Sequence, residues 1–238
     1  MALFASAVPR SNATNMAYSE TDILKTWQLN AKPWIATLEN GDIPSRALAT
    51  NQAIVDACLS LKPQRALDIG CGEGWLCRAV AEAGVEMTGI DGVPGLIENA
   101  QRKGGAQYLT CSYEKLLSGL PEGLKPPYDL AVCNFALFGK DLTVALAEVV
   151  HSLLTANGRW VIQTLHPDYP LAAPPGSWVT EDWSAMKQPF QPGYAWYRWT
   201  KAGWQELLQH AGFNSIKWRA VYVDEASPPL ALLIDAGK

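Results

Sequence analysis

Arg65-Ala66-Leu67-Asp68-Ile69-Gly70-Cys71-Gly72-Glu73-Gly74 carries a short apolar run straight into a turn with glycine at alternate positions. The run reads as a buried strand. Residues 75–83 continue as a helix, with Leu76, Val80 and Ala83 at helical spacing. Glycine lacks a Cβ, so three of them permit a sharp bend and let a ligand lie against the main chain. The first N–H groups of the following helix have no intrahelical acceptor and face that notch. Such a turn is built to hold a small molecule.

Spacing narrows the choice of molecule. A dinucleotide fingerprint places its glycines as G-x-G-x-x-G, the last allowing close helix–strand packing. Here the third glycine comes one residue early, and Trp75 stands where glycine is needed, which weakens the diphosphate reading. The next strand-like segment, Glu86-Met87-Thr88-Gly89-Ile90-Asp91, ends on a carboxylate. A carboxylate accepts hydrogen bonds from two adjacent hydroxyls and so suits a ribose. A plain helix N-cap at Asp91 is the structural alternative.

Together these segments resemble the class I S-adenosylmethionine-dependent methyltransferases. Residues 66–74 match that family's first motif and Gly89-Ile90-Asp91 its second, and the likeness continues through Tyr128-Asp129-Leu130-Ala131-Val132-Cys133-Asn134 and residues 153–162. The resemblance implies a three-layer, doubly wound, mostly parallel seven-stranded sheet closed by a C-terminal antiparallel hairpin, the Rossmann-like methyltransferase fold. It implies S-adenosyl-L-methionine as methyl donor, S-adenosyl-L-homocysteine as product, and an O or N atom of a small organic acceptor as the methylated position. An NAD-dependent oxidoreductase on a similar sheet is one alternative. A protein that binds S-adenosylmethionine without turnover is another.

The rest of the chain agrees with an α/β sheet. Strands read at 65–70, 86–91, 106–111, 128–134 and 158–165, alternating with helices at 73–83, 94–103, 113–119 and 141–155. Ligands of such sheets lie at the carboxyl ends of the strands, here Gly70, Asp91, Cys111, Asn134 and His166. Residues 1–44 read as an N-terminal tail, unstructured to about residue 19, followed by a helical cap interrupted at Pro33. Residues 45–238 form the core, with Ser45 as a helix cap. Residues 167–198 break the rhythm with Pro/Gly punctuation and aromatic residues, the composition of a mobile lid. A final helix at 200–210 and strands at 215–223 and 230–235 complete the chain.

Composition excludes several partners. A net charge of −4 with no run of Lys and Arg argues against nucleic acid, and no apolar segment approaches membrane-spanning length. Five cysteines without a C-x-x-C pair, and only three histidines, give no zinc site or other metal site. Residues 1–8 are apolar but lack a basic n-region, so a cytoplasmic protein with reduced thiols is expected. The oligomeric state is not legible in this pattern.

As the family's motifs are placed, Gly70, Gly72 and Gly74 line the methionine and ribose portions of the cofactor, with Cys71 among the cofactor-binding residues. Asp68 meets the ammonium or orders the loop, and Asp91 with Gly92 holds the ribose. The family often has Asp after the third strand; this chain has Cys111-Ser112-Tyr113-Glu114, leaving the Ser112 backbone and the Tyr113 ring to bracket adenine. Asn134 and Phe135 follow the fourth strand without the Asn-Pro-Pro-Tyr pattern of base and amide-nitrogen methylases. Arg46 offers a guanidinium fork for the cofactor's carboxylate, or is a solvated surface residue. Acceptor-binding candidates are Trp34, Phe138, Tyr194, Trp196 and Tyr197, whose rings serve equally well as ordinary core. His166 is the candidate general base, since its intrinsic pKa lies near neutrality. A structural histidine at the strand end is the alternative.

Overall fold

The computed structural model describes residues 20–238; the tail expected before residue 20 lies outside the described residues. Apolar runs bounded by turns become β1 (Arg65–Ile69), β2 (Glu86–Asp91), β3 (Gln107–Thr110), β4 (Tyr128–Asn134) and β5 (Leu154–Leu165), all paired in parallel. A separate antiparallel pair, β6 (Ser177–Thr180) and β7 (Ala195–Arg198), lies in the insertion. The C-terminal β8 (Ser215–Val221) and β9 (Ala231–Gly237) complete the main sheet antiparallel, in the order β3-β2-β1-β4-β5-β9-β8. This is the expected seven-stranded sheet.

Helices cover both faces. They are α1 (Glu20–Leu29), α2 (Ala31–Glu39), α3 (Asn51–Ser60), α4 (Trp75–Ala81), α5 (Pro94–Lys103), α6 (Tyr113–Ser118), α7 (Asp141–Leu153) and α8 (Lys201–His210). Side chains alternate along a strand, and β1 shows what that does. Ala66 packs with Ile54 of α3, Val80 of α4 and Ile97 of α5, whereas Leu67 and Ile69 pack with Leu116 of α6, Leu146 of α7 and Trp204 of α8. Strand order reverses at β1, with β2 on one side and β4 on the other, so the crevice opens at their carboxyl ends.

Ser45 is not a cap: its backbone is already helical (φ −59°, ψ −25°) and its side chain makes no capping hydrogen bond. Two boundaries also differ from the sequence expectation, each for a local reason. The break in the helical cap falls at Asn30 and not at Pro33. Pro33 sits in the first turn of α2, where a missing N–H is tolerated. Asn30 is fully buried, donates to the Thr26 carbonyl at 2.9 Å and accepts from the Gln191 N–H at 2.7 Å. β5 begins directly after α7, and its pairing with β4 slips, from Tyr128 opposite Leu154 to Leu130 opposite Arg159. The buried Leu153 and Leu154 hold that junction.

The insertion is a packed unit. Val179, Trp183, Met186, Tyr194 and Trp196 cluster with Ile43 and Leu165, and Trp27, Trp34, Leu38 and Phe138 pack on that cluster. Arg198, 4% exposed, donates to the carbonyls of Pro167, Tyr169 and Ala173, which ties the entry of the insertion to its exit. Lys187 pairs with Asp42 at 2.8 Å across to the cap. Among the described residues, no helix is long and apolar enough to cross a membrane. Arg198→Met should lower stability by about 1.5–3 kcal/mol, the range for hydrogen bonds to a charged group. Urea unfolding checks this, and an unchanged midpoint would show that the apolar cluster alone holds the insertion.

Candidate active site

The carboxyl ends of β1, β2 and β4 and the turn after β3 open into one cleft of ≈ 1280 Å³, its mouth included. At its floor Gly70, Cys71 and Gly72 leave β1. Gly70 has φ +78°, and a Cβ there would lie 2.5 Å from the Ala136 Cβ and 2.7 Å from the Tyr113 hydroxyl. No other residue type fits without moving the floor.

Asp91 ties the turn to β2. The Gly72 N–H donates to Asp91 Oδ2 at 2.9 Å, and the Val93 N–H donates to Oδ1 at 2.8 Å. Each carboxylate oxygen therefore keeps acceptor capacity beside the cleft that Asp91, Gly92 and Val93 line. Burial pushes the Asp91 pKa up to about 6, and the two N–H donors oppose that rise. A carboxylate so placed fits two neighbouring ribose hydroxyls.

Arg46 lies on one wide helical turn, Arg46–Thr50, that leads into α3. Its guanidinium stands 4.8 Å from the centre of the Trp75 ring and makes no ion pair among the described residues. Burial lowers its pKa to about 10 and Glu73 counters this, so it stays cationic at neutral pH. Glu73 itself is committed to Arg78 at 2.7 Å and Lys103 at 2.9 Å. The cleft thus keeps one unpaired guanidinium, which fits the carboxylate of an amino-acid moiety.

Ser112 and Tyr113 follow β3. The Ser112 hydroxyl caps α6 by accepting from the Lys115 N–H at 3.3 Å, and the Tyr113 hydroxyl donates to the Ala136 carbonyl at 3.0 Å. Both line the cleft, as do Asn134 and Phe135. Phe135 takes a left-handed φ of +50°, a strained conformation for a residue with a side chain, and its N–H donates to the Gln163 carbonyl at 2.8 Å.

An aromatic wall of Trp27, Trp34 and Phe138 lines the same cleft. Trp27 stacks on Phe138 at 5.8 Å and 21°, and meets Trp34 edge-on at 5.2 Å. Ile23, Leu24, Leu38 and Ile43 line the cleft nearby.

Six of the sequence-derived candidates stand elsewhere. Gly74 precedes α4 at φ +81°, packed against the Tyr108 ring and outside the cleft lining. His166 does not line the cleft: β5 ends at Leu165, and the imidazole turns back onto its own loop, where Nδ1 accepts from the Asp168 N–H at 3.1 Å. Burial lowers its pKa. Asp68 lies beneath the glycine turn, 2% exposed, with Oδ2 accepting from the Cys77 thiol at 3.4 Å and its pKa raised by burial to about 7. Tyr194 packs behind the wall, 5.2 Å from Phe138 and 5.9 Å from Trp27. Trp196 is buried in the insertion's own cluster. Tyr197 meets Trp178 at 5.6 Å and Trp199 at 5.0 Å. The insertion supports the wall from behind without supplying it.

Sequence reasoning missed Trp75 as a cleft residue, and it put Trp27 on a segment able to close over the cleft while favouring simple packing for that ring. The signal was present for Trp27: Ile23, Trp27, Trp34 and Leu38 recur near helical spacing, yet α1 buries no residue, so its apolar stripe faces the cleft.

Comparison with known proteins shows the family. Residues 44–217 match the methyltransferase-domain family, and the chain belongs to it. A ubiquinone biosynthesis O-methyltransferase of Xylella fastidiosa (strain M23) is 34% identical over 113 residues, 45% of this chain. That alignment spans 44% of the relative's own length. The 1,6-didemethyltoxoflavin-N1-methyltransferase of Burkholderia thailandensis, solved with 1,6-didemethyltoxoflavin and S-adenosylhomocysteine bound, superposes with a TM-score of 0.61 at 22% identity. The match covers 98% of this chain and 97% of that one. The DhpI-SAM-HEP complex gives 0.65 at 16% identity over 94% of this chain and 99% of that one. The fold is that of the class I S-adenosylmethionine-dependent methyltransferases.

A ribose held at Asp91 would be held best by the ionised carboxylate, whose two oxygens both accept. With its pKa raised to about 6, that form is complete above this value and lost as pH falls through it. Affinity for adenosylhomocysteine should therefore weaken by up to about tenfold per unit below pH ~6. Asp91→Asn should lack that limb and bind more weakly by about 1.5–3 kcal/mol at neutral pH. Calorimetry across pH separates this from Asp68, which both proteins retain. Identical profiles would remove Asp91 from the site.

Proposed function

We propose that the chain transfers a methyl group from S-adenosylmethionine to an O or N atom of a small, ring-bearing acceptor. One observation carries this reading: a single cleft joins a polar floor suited to a nucleoside and an amino-acid carboxylate to an apolar aromatic wall. Asp91, Gly70, Gly72, Ser112, Tyr113 and Arg46 would hold the donor. Trp27, Trp34 and Phe138 would hold the acceptor. When bound, the sulfonium supplies the methyl group and an uncharged thioether leaving group. The relatives' names, a ubiquinone biosynthesis O-methyltransferase and a 1,6-didemethyltoxoflavin-N1-methyltransferase, support an O or N atom of a small molecule as the methylated position. An acidic chain and an apolar wall favour a metabolite over nucleic acid. All five cysteines are buried and unpaired, which suits a cytoplasmic setting.

Catalysis in this reading rests on orientation and exclusion of water, and positioning alone contributes about 7–11 kcal/mol. The carboxylates of the cleft are already committed: Glu20 to the backbone N–H groups of residues 140–142, Glu73 to its ion pairs, Asp91 to its two N–H donors. Glu114 stands on the first turn of α6 beside Ser112 and Tyr113, at the end assigned to adenine. The reaction then uses an acceptor that is already nucleophilic. The cleft also speaks against the dinucleotide alternative, because Trp75 lines it at the first position of α4, where a pyrophosphate would approach.

Incubation with S-adenosylmethionine and a metabolite extract should yield products heavier by one CH2, together with adenosylhomocysteine. Trp27→Ala should raise the acceptor KM while leaving adenosylhomocysteine affinity unchanged. His166→Ala should cost far less than the roughly 10²–10⁴-fold that follows loss of a general base. A thermal shift with NADH but none with adenosylhomocysteine would overturn the proposal in favour of an oxidoreductase.

A further inference from the structure

Asn134 is the last residue of β4 and pairs in register with Gln163, two residues before the end of β5. Gln163 is 1% exposed, and its Nε2 donates twice, to the Thr50 carbonyl at 3.0 Å and to Asn134 Oδ1 at 2.7 Å. A main-chain carbonyl only accepts, so Thr50 fixes which end of the Gln163 amide is the NH2. Reversing that amide would set two oxygens against each other. The second N–H of Gln163 then requires an oxygen from Asn134 and fixes that amide as well. The Asn134 NH2 is left without a partner among the described residues, on a side chain that lines the cleft. Gln163 Oε1 is buried without a partner, a costly arrangement that strand pairing does not require.

The Asn134 donor stands where the two halves of the cleft meet. Asp68 of β1 pairs with Val132 of β4, so Gly70 at the donor end is level with Asn134, and Phe138 of the aromatic wall follows four residues later. An atom placed beside this NH2 must accept a hydrogen bond. A neutral amine has a single lone pair, which must attack the methyl carbon and so is not free to accept from this NH2, whereas an anionic oxygen keeps further lone pairs and gains a charge-assisted bond.

We infer that Gln163 is a positioning residue that turns the Asn134 NH2 toward the transfer site, and that the acceptor is an aromatic hydroxyl reacting as its anion. This rests on the methyl-transfer reading above. The hydroxyl loses its proton to solvent before binding. At the site the oxygen lone pair forms the C–O bond as the C–S bond breaks, its electron pair stays on sulfur, and no proton is released.

The test uses 4-nitrophenol, whose anion absorbs visible light, and 4-nitroaniline, each titrated into protein saturated with adenosylhomocysteine. Wild type should bind 4-nitrophenol as the anion, with its apparent pKa lowered by about one unit, and bind the aniline at least about tenfold more weakly. Gln163→Leu should keep adenosylhomocysteine affinity within about twofold while losing that roughly tenfold preference. Asn134→Asp, of nearly the same shape but presenting only acceptors, should favour the aniline, so the inference stays testable even where Gln163→Leu does not fold. Equal binding of the two probes by wild type, binding of neither, or an unchanged preference in Gln163→Leu would overturn it. So would lost cofactor affinity with preference retained, which would assign the Asn134 NH2 to the cofactor. Failure of wild type to bind adenosylhomocysteine at all would be seen before either probe is added, and would overturn the methyl-transfer reading itself.

Discussion

The buried carboxylate of Asp91 is fastened by two backbone N–H groups, one from the glycine turn after β1 and one from the turn that starts α5, and the cleft is organised around it. Burial alone pushes this group toward its neutral form, as its raised pKa records. The N–H donors offset part of that cost and fix the distance between the first two strand ends. The turn meets this geometry only with Gly70 and Gly72 at positive φ, and at Gly70 a Cβ would strike Ala136 and Tyr113. One interaction therefore links the two sequence motifs to the cavity floor.

Charge around the cleft follows from how each remaining group is satisfied. Glu73 is neutralised by Arg78 and Lys103, and Lys103 reaches Glu39 of the cap at 3.1 Å. The Glu20 carboxylate, at the start of α1, accepts from the N–H groups of Lys140, Asp141 and Leu142, where the dipole of α7 favours an anion. That contact brings α1, with Ile23, Leu24 and Trp27, over the cleft. Arg46 and the Asn134 amide remain as donors without an ion pair or hydrogen-bond partner among the described residues, one charged and one neutral, in a cleft that Trp27, Trp34 and Phe138 also line.

The sheet was legible because parallel strands buried on both faces read as continuous apolar runs, and Gly70, Gly72 and Asp91 mark the ends of two of them. The floor was legible for the same reason: strand ends deliver Asp91, Ser112 and Asn134 at predictable places. The aromatic wall was not. Which of ten tryptophans face a cavity depends on how α1 and the insertion pack, and periodicity does not separate a stripe facing core from one facing a cleft. Thus Tyr194, Trp196 and Tyr197 support the wall from behind while Trp27 forms it. His166 illustrates the same gap: its position at a strand end is read correctly, but the turn of the following loop points its ring away. The Gln163–Asn134 relay depends on the pairing of β4 with β5, a tertiary fact outside any local pattern.

In the proposed reaction, nucleoside, methyl donor and acceptor share one cleft, from Asp91 past Asn134 to the Trp27–Phe138 wall. A crystal structure with adenosylhomocysteine bound measures this most directly. Both ribose hydroxyls should lie within hydrogen-bond distance of the Asp91 carboxylate, the amino-acid carboxylate should meet Arg46, and the sulfur should face the aromatic wall. A sulfur directed away from Trp27 and Phe138, or a ribose that does not touch Asp91, would contradict the account.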